Sequence, residues 1–135
     1  MTDVDERCYL DSIRACLRSA FAETSLDQRV SILNAVRELV AEFSPFGSEP
    51  VDLVRWEPVS KVEANDYNPN TVAPPEMELL RLSIAADGYT QPIVTYPEEC
   101  KLIVVDGFHR NRVARECLDI AARVQGYLPV VAIRE

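Results

Sequence analysis

Leu102-Ile103-Val104-Val105 is a nearly continuous apolar run of strand length, and it ends on Asp106-Gly107. Such a run is expected of a strand buried on both faces. Residues 108–118 have helical spacing, so the segment predicts a strand-to-helix turn and an α/β arrangement around it. The neighbouring signals agree. Residues 56–62 read as a strand with Pro58 near its start, residues 92–96 as a second and residues 130–133 as a last one. Pro74-Pro75-Glu76 opens a helix, because Pro is tolerated in the first turn and Glu suits the helix dipole. Met77, Leu80 and Ile84, with Leu79 beside them, are its apolar positions, and Asp87-Gly88 closes it. Residues 64–70 form a loop rich in turn formers.

Ser44-Pro45-Phe46-Gly47-Ser48-Glu49-Pro50 is a cluster of helix breakers and marks a boundary. It separates a helical extension, residues 1–46, from an α/β domain, residues 51–135. In the extension, Leu10, Ile13, Leu17, Ala20 and Phe21 share one helical face. Ser25 and Gln28 have capping-box spacing and open a second helix. Its stripe is Val30, Leu33, Val36, Arg37 and Val40. The short connection around Ser25 predicts an antiparallel hairpin. Its apolar stripe is expected to pack on the α/β domain or on another chain, which makes a homodimer through the hairpin an expectation.

The net charge of −8 is spread evenly: residues 1–50 carry nine acids and five bases, residues 51–135 thirteen acids and nine bases. Without a basic stripe, binding of duplex DNA by this chain alone is not expected. No stretch approaches the length and apolarity of a membrane span. The chain opens on Thr2-Asp3-Val4-Asp5-Glu6, which is no signal peptide, so a cytoplasmic location is expected. Cys8, Cys16 and Cys117 fall in helical patterns and are expected as buried or half-buried free thiols. Cys100 completes the set, and no CxxC pair exists, so no structural zinc is expected.

The chemistry concentrates at the strand-to-helix turn. Gly107 permits a positive φ or the close approach of a ligand. The unpaired N–H groups of the following helix start attract anions. His109, Arg110 and Arg112 add side-chain donors, and Arg suits bidentate phosphate binding. Asp106 can orient His109 or an Arg, or help to hold Mg on bound phosphates.

The succession of strand, Asn65-Asp66-Tyr67-Asn68-Pro69-Asn70, helix, Gly88-Tyr89-Thr90-Gln91-Pro92-Ile93-Val94, strand, Asp106-Gly107-Phe108-His109-Arg110 and helix resembles the ParB/sulfiredoxin superfamily over residues 54–133. Within it the chain looks closest to IbrB-like proteins, co-activators of prophage gene expression. The resemblance implies a small mixed sheet with helices. It places nucleotide contacts at Asn68, Gly88, Thr90, Gln91, Pro92, Asp106, Gly107, His109, Arg110, Asn111 and Arg112. The bound nucleotide is expected to be CTP, ATP or ADP, with Mg carried on it. The implied protein partner resembles phosphoadenosine phosphosulfate reductases.

Asn70 stands where partition ParB proteins commonly have an Arg, and Phe108 stands where sulfiredoxins have their reactive Cys. Sulfiredoxin activity is therefore not expected, since Phe is no nucleophile. Relatives with a similar turn include ADP-dependent serine kinases. That makes ATP- or ADP-dependent phosphoryl transfer to a small molecule, or nucleotide hydrolysis, the alternative to a regulatory module. Asp66, Asp106 and His109 are then the catalytic candidates, with Glu63 in the same neighbourhood.

Overall fold

Thr2 and Ser25 open the first two helices by the same reciprocal device. In α1 (Asp3–Phe21) the Thr2 hydroxyl accepts from the Asp5 N–H at 3.2 Å, and the Asp5 carboxylate answers to the Thr2 backbone. In α2 (Leu26–Ala41) the Gln28 side chain accepts from the Ser25 N–H at 2.9 Å, as the Ser-x-x-Gln spacing predicts. The computed structural model describes residues 2–64 and 74–133.

α1 and α2 barely touch, so they do not form the packed hairpin that the sequence predicts. Tyr9, Leu10 and Ile13 are 63%, 51% and 53% exposed. Cys8 and Cys16 are consequently exposed rather than buried. α2 turns Asn34 inward, with Val30, Leu33, Val36 and Arg37 of the predicted stripe half-buried beside it. The Asn34 amide donates to the Trp56 carbonyl at 2.8 Å and accepts from the Trp56 N–H at 3.0 Å. Arg37 donates to the Val54 carbonyl at 2.9 Å, while Val40 faces solvent.

Five strands form one sheet: β1 (Arg55–Pro58), β2 (Val62–Glu63), β3 (Ile93–Glu98), β4 (Lys101–Asp106) and β5 (Tyr127–Ala132). Their order is β1-β5-β3-β4-β2. Pairs β1/β5 and β3/β4 are antiparallel, and pairs β3/β5 and β2/β4 are parallel. β1 is the edge strand that Asn34 covers. Trp56 sits opposite Pro129, which has no N–H to offer.

The single strand predicted over residues 56–62 is in fact β1 and β2, which lie on opposite edges of the sheet. A 3-10 turn, Val59–Lys61, joins them. A flat sheet of five strands would separate its edge strands by about 19 Å, four inter-strand spacings. The chain from Pro58 to Val62 can span at most about 14 Å. The sheet therefore curls. From α4 (Phe108–Glu116), Arg115 fixes the link, donating to the Val59 carbonyl at 2.6 Å and to the Val62 carbonyl.

α3 (Pro74–Asp87) has the bounds its sequence predicts. The helix predicted over residues 108–118 stops at Glu116, because Cys117 is extended, and α5 (Leu118–Val124) follows it. The concave side of the sheet buries Val62, Ile93, Leu102, Val104, Leu128 and Val130 against Ala114 of α4. Ile84, Val113 and Ile120 join α3, α4 and α5 in a second cluster. Arg123, which the sequence leaves outside any motif, caps α3 by donating to the Ile84 and Ala85 carbonyls at 2.6 and 2.9 Å.

Candidate functional site

Antiparallel pairing sets Val94 opposite Asp106, so the start of β3 and the end of β4 share one end of the sheet. The segment before β3, residues 88–92, is thereby brought to the turn that starts α4. Gly107 is the N-cap of α4, with φ 97 and ψ 28 in the left-handed region. No side chain caps this helix. The Gly107 N–H is taken by the Asp106 carboxylate at 2.9 Å, and the first intrahelical bond runs from the Asn111 N–H to the Gly107 carbonyl. The N–H groups of Phe108, His109 and Arg110 have no partner among the described residues. They form an unoccupied donor set at the positive end of the helix dipole.

Arg110 lies folded over this turn. A Cβ on Gly107 would sit 2.9 Å from the Arg110 Nη2, so the close approach of the guanidinium requires glycine here. Nη2 donates to the Pro92 carbonyl at 3.2 Å and stands 4.0 Å from the Asp106 carboxylate. Arg110 thus ties the segment before β3 to the turn. Two nitrogens of the site are buried without a hydrogen-bond partner among the described residues, Nδ1 of His109 and Nε of Arg110. Tyr89 closes the back of the site, donating to the Arg110 carbonyl at 2.8 Å. Burial, ahead of nearby charges, pushes its phenol up to about 12.

Other residues singled out in the sequence fall differently. Asn111 is buried, and its Oδ1 accepts from Arg115 Nε at 3.0 Å. Arg112 is exposed on the outer side of α4 and pairs with Glu116 at 3.2 Å. Thr90 and Gln91 are exposed beside the site. Gly88 ends α3 with φ 81, and its N–H reaches the Ile84 carbonyl at 2.8 Å. Glu63 is exposed and stands 3.6 Å from Lys101. Asp66, Asn68, Pro69 and Asn70 lie outside the described residues. Tyr89 and Arg115 brace the site and were not singled out in the sequence. The signal for Arg115 is its position one helical turn after Asn111, on the same face.

Among the described residues no group of His, Cys, Asp and Glu is placed to hold a metal ion. No helix among them is long and apolar enough to cross a membrane. A larger hollow, about 1040 Å³, lies elsewhere, between the end of α2, residues 47–53 and the sheet. Its inner charges are already paired, Arg55 with Glu38 and Glu57, and Lys61 with Glu57. The α4 turn instead offers donors that lack partners, and on that ground it is the candidate site.

No family model matches the chain. A protein named YbdM of Escherichia coli (strain K12) is 45% identical over 108 residues, 79% of this chain and 52% of that protein. The chain spans about half the length of this curated relative. Among solved structures, SbnI of Staphylococcus aureus with a C-terminal truncation aligns at TM-score 0.49 and 24% identity, covering 65% of this chain and 33% of that one. The C-terminally truncated chromosome-partitioning protein ParB of Caulobacter crescentus, complexed with CTP-gamma-S, aligns at TM-score 0.51 and 23% identity, covering 61% of this chain and 44% of that one. At that identity the likeness is one of architecture: the curled mixed sheet and its helices have the fold of that truncated ParB.

Proposed function

We propose that the turn from Asp106 to Arg112 binds a phosphate group of a nucleotide, and that the chain is a regulatory module that co-activates gene expression through a protein partner. One observation carries the reading: the uncapped start of α4, where three backbone N–H groups and the buried His109 and Arg110 nitrogens lack partners. The free N–H groups of a helix start attract anions, and buried side-chain nitrogens are normally satisfied, so the two unmet ones beside them favour an anionic ligand. CTP is the first candidate, because the fold neighbour from Caulobacter crescentus is complexed with CTP-gamma-S. ATP and ADP follow. A nucleotide would bring Mg on its phosphates, and the exposed Asp106 carboxylate stands where it could meet such an ion. The partner is a phosphoadenosine phosphosulfate reductase-like protein or a second copy of this chain.

Titration calorimetry with CTP, ATP, ADP, GTP and phosphoadenosine phosphosulfate, each with Mg, tests the reading. One of them should bind, and Arg110→Ala should weaken it roughly tenfold to a hundredfold, the equivalent of one charge-assisted hydrogen bond. Arg14→Ala, on the exposed face of α1, is the control and should change nothing. Equal affinity of the two folded variants would make the turn purely structural.

A further inference from the structure

Arg110 grips the segment before β3 at two points. Its Nη2 donates to the Pro92 carbonyl at 3.2 Å, and its own backbone carbonyl accepts from the Tyr89 hydroxyl at 2.8 Å. Tyr89 is anchored besides, since it packs against both core clusters. Thr90 and Gln91 lie between the two grips. Both are exposed, and among the described residues no hydrogen bond holds either backbone. The sheet cannot extend to hold them. The parallel ladder of β3 with β5 begins at Ile93 opposite Val130, and the residue before Val130 is Pro129, which has no N–H to donate. Ahead of Ile93 the segment therefore depends on Arg110.

The guanidinium has donors to spare. Its Nη1 has no partner among the described residues and is not buried, and the side chain is 20% exposed beside the uncapped start of α4. A fork of several N–H groups lets one Arg serve two acceptors at once. We propose that Arg110 is a positioning residue that couples occupancy of the phosphate turn to the order of residues 89–92. Nη2 keeps the Pro92 carbonyl while another arm of the fork meets the anion. Without an anion, the guanidinium is held in place by that one hydrogen bond, with the Asp106 carboxylate 4.0 Å away. A bound anion adds charge-assisted bonds that fix the fork, so the grip on Pro92 persists and Thr90 and Gln91 stiffen. Occupancy of the turn is thereby written into an exposed segment that a protein partner can touch. The inference rests on the phosphate reading above and gives that site an output.

Inorganic pyrophosphate is the probe, because it has no base or sugar to touch residues 89–92 directly. On its saturation of the wild-type chain, the NMR order parameters of the Thr90 and Gln91 amides should rise from about 0.6 toward about 0.85, the value of rigid backbone. Arg110→Lys keeps the charge and loses the fork. At its own saturation this variant should leave both amides at their ligand-free values, and its remaining amide spectrum checks the fold. Two results overturn the inference and leave the phosphate site standing: pyrophosphate that binds wild type without stiffening Thr90 and Gln91, or an equal rise in saturated Arg110→Lys. If pyrophosphate at about 10 mM, tenfold above a millimolar dissociation constant, shifts no amide of the turn, the phosphate reading falls together with the inference.

Discussion

Replacing Gly107 by Ala should damage the site by two separable routes. The first is backbone strain, since an L-residue in the left-handed region costs about 1–2 kcal/mol. The second is steric. The new methyl would sit 2.9 Å from Arg110 Nη2 and 3.3 Å from Cζ, so the guanidinium, the far end of a flexible side chain, must shift by a few tenths of an ångström. Its bond to the Pro92 carbonyl, 3.2 Å long, is stretched by that shift and loses about 1 kcal/mol, a part of what a bond from a charged donor contributes. The two routes together give about 2–3 kcal/mol. Gly88→Ala is the internal standard. Its φ of 81 imposes the strain, but nothing lies within 4 Å of the added carbon. A double-mutant cycle isolates the second route. In an Arg110→Ala background the guanidinium is already gone, so Gly107→Ala should cost only the strain. Urea denaturation of wild type, both single variants and the double variant should yield a coupling of about 1 kcal/mol. Additivity to within about 0.5 kcal/mol would refute the reasoning, since independent sites add that closely.

The seam between α2 and β1 makes a second prediction. Asn34→Ala removes both partners of the Trp56 peptide and should destabilise the fold by about 2–4 kcal/mol. Asn34→Asp should be no rescue, because a carboxylate opposes the Trp56 carbonyl; thermal melts that match wild type for either variant would sink the assignment. The third concerns alkali. Tyr89 titrates higher in the folded chain, at about 12, than the ordinary value of 10, so the native state holds this proton more tightly. Its contribution is full below pH 10 and is lost as pH rises from 10 to 12. Tyr89→Phe should therefore lose less stability than wild type over that interval, and parallel denaturation curves across it would contradict the burial seen here.

What the sequence discloses is mostly local. Pro74 and Asp87-Gly88 fix both ends of α3 through cap chemistry that acts within a turn. The apolar run into Asp106-Gly107 fixes β4 and the start of α4 in the same way. Features decided by distant partners were not legible. Nothing in residues 55–63 discloses a strand broken in two, because the break rests on Arg115, 56 residues beyond Val59. The apolar periodicity of α2 finds most of its inward face but gives no sign of Asn34, whose partner is a backbone 22 residues away. Arg110 reads as a free phosphate ligand in the sequence. Its inward fold over Gly107 depends on Pro92, which only the sheet pairing brings near.

The link between β1 and β2 also changes what the sheet can do mechanically. Two edges joined by three residues make a belt, not a strip. A belt of fixed circumference cannot widen under load, so any opening at the α4 turn must come from side chains such as Arg110. A protease cut between Val59 and Lys61 would remove no core side chain. It would release the belt and loosen the grip that Arg115, from α4, keeps on the Val59 and Val62 carbonyls.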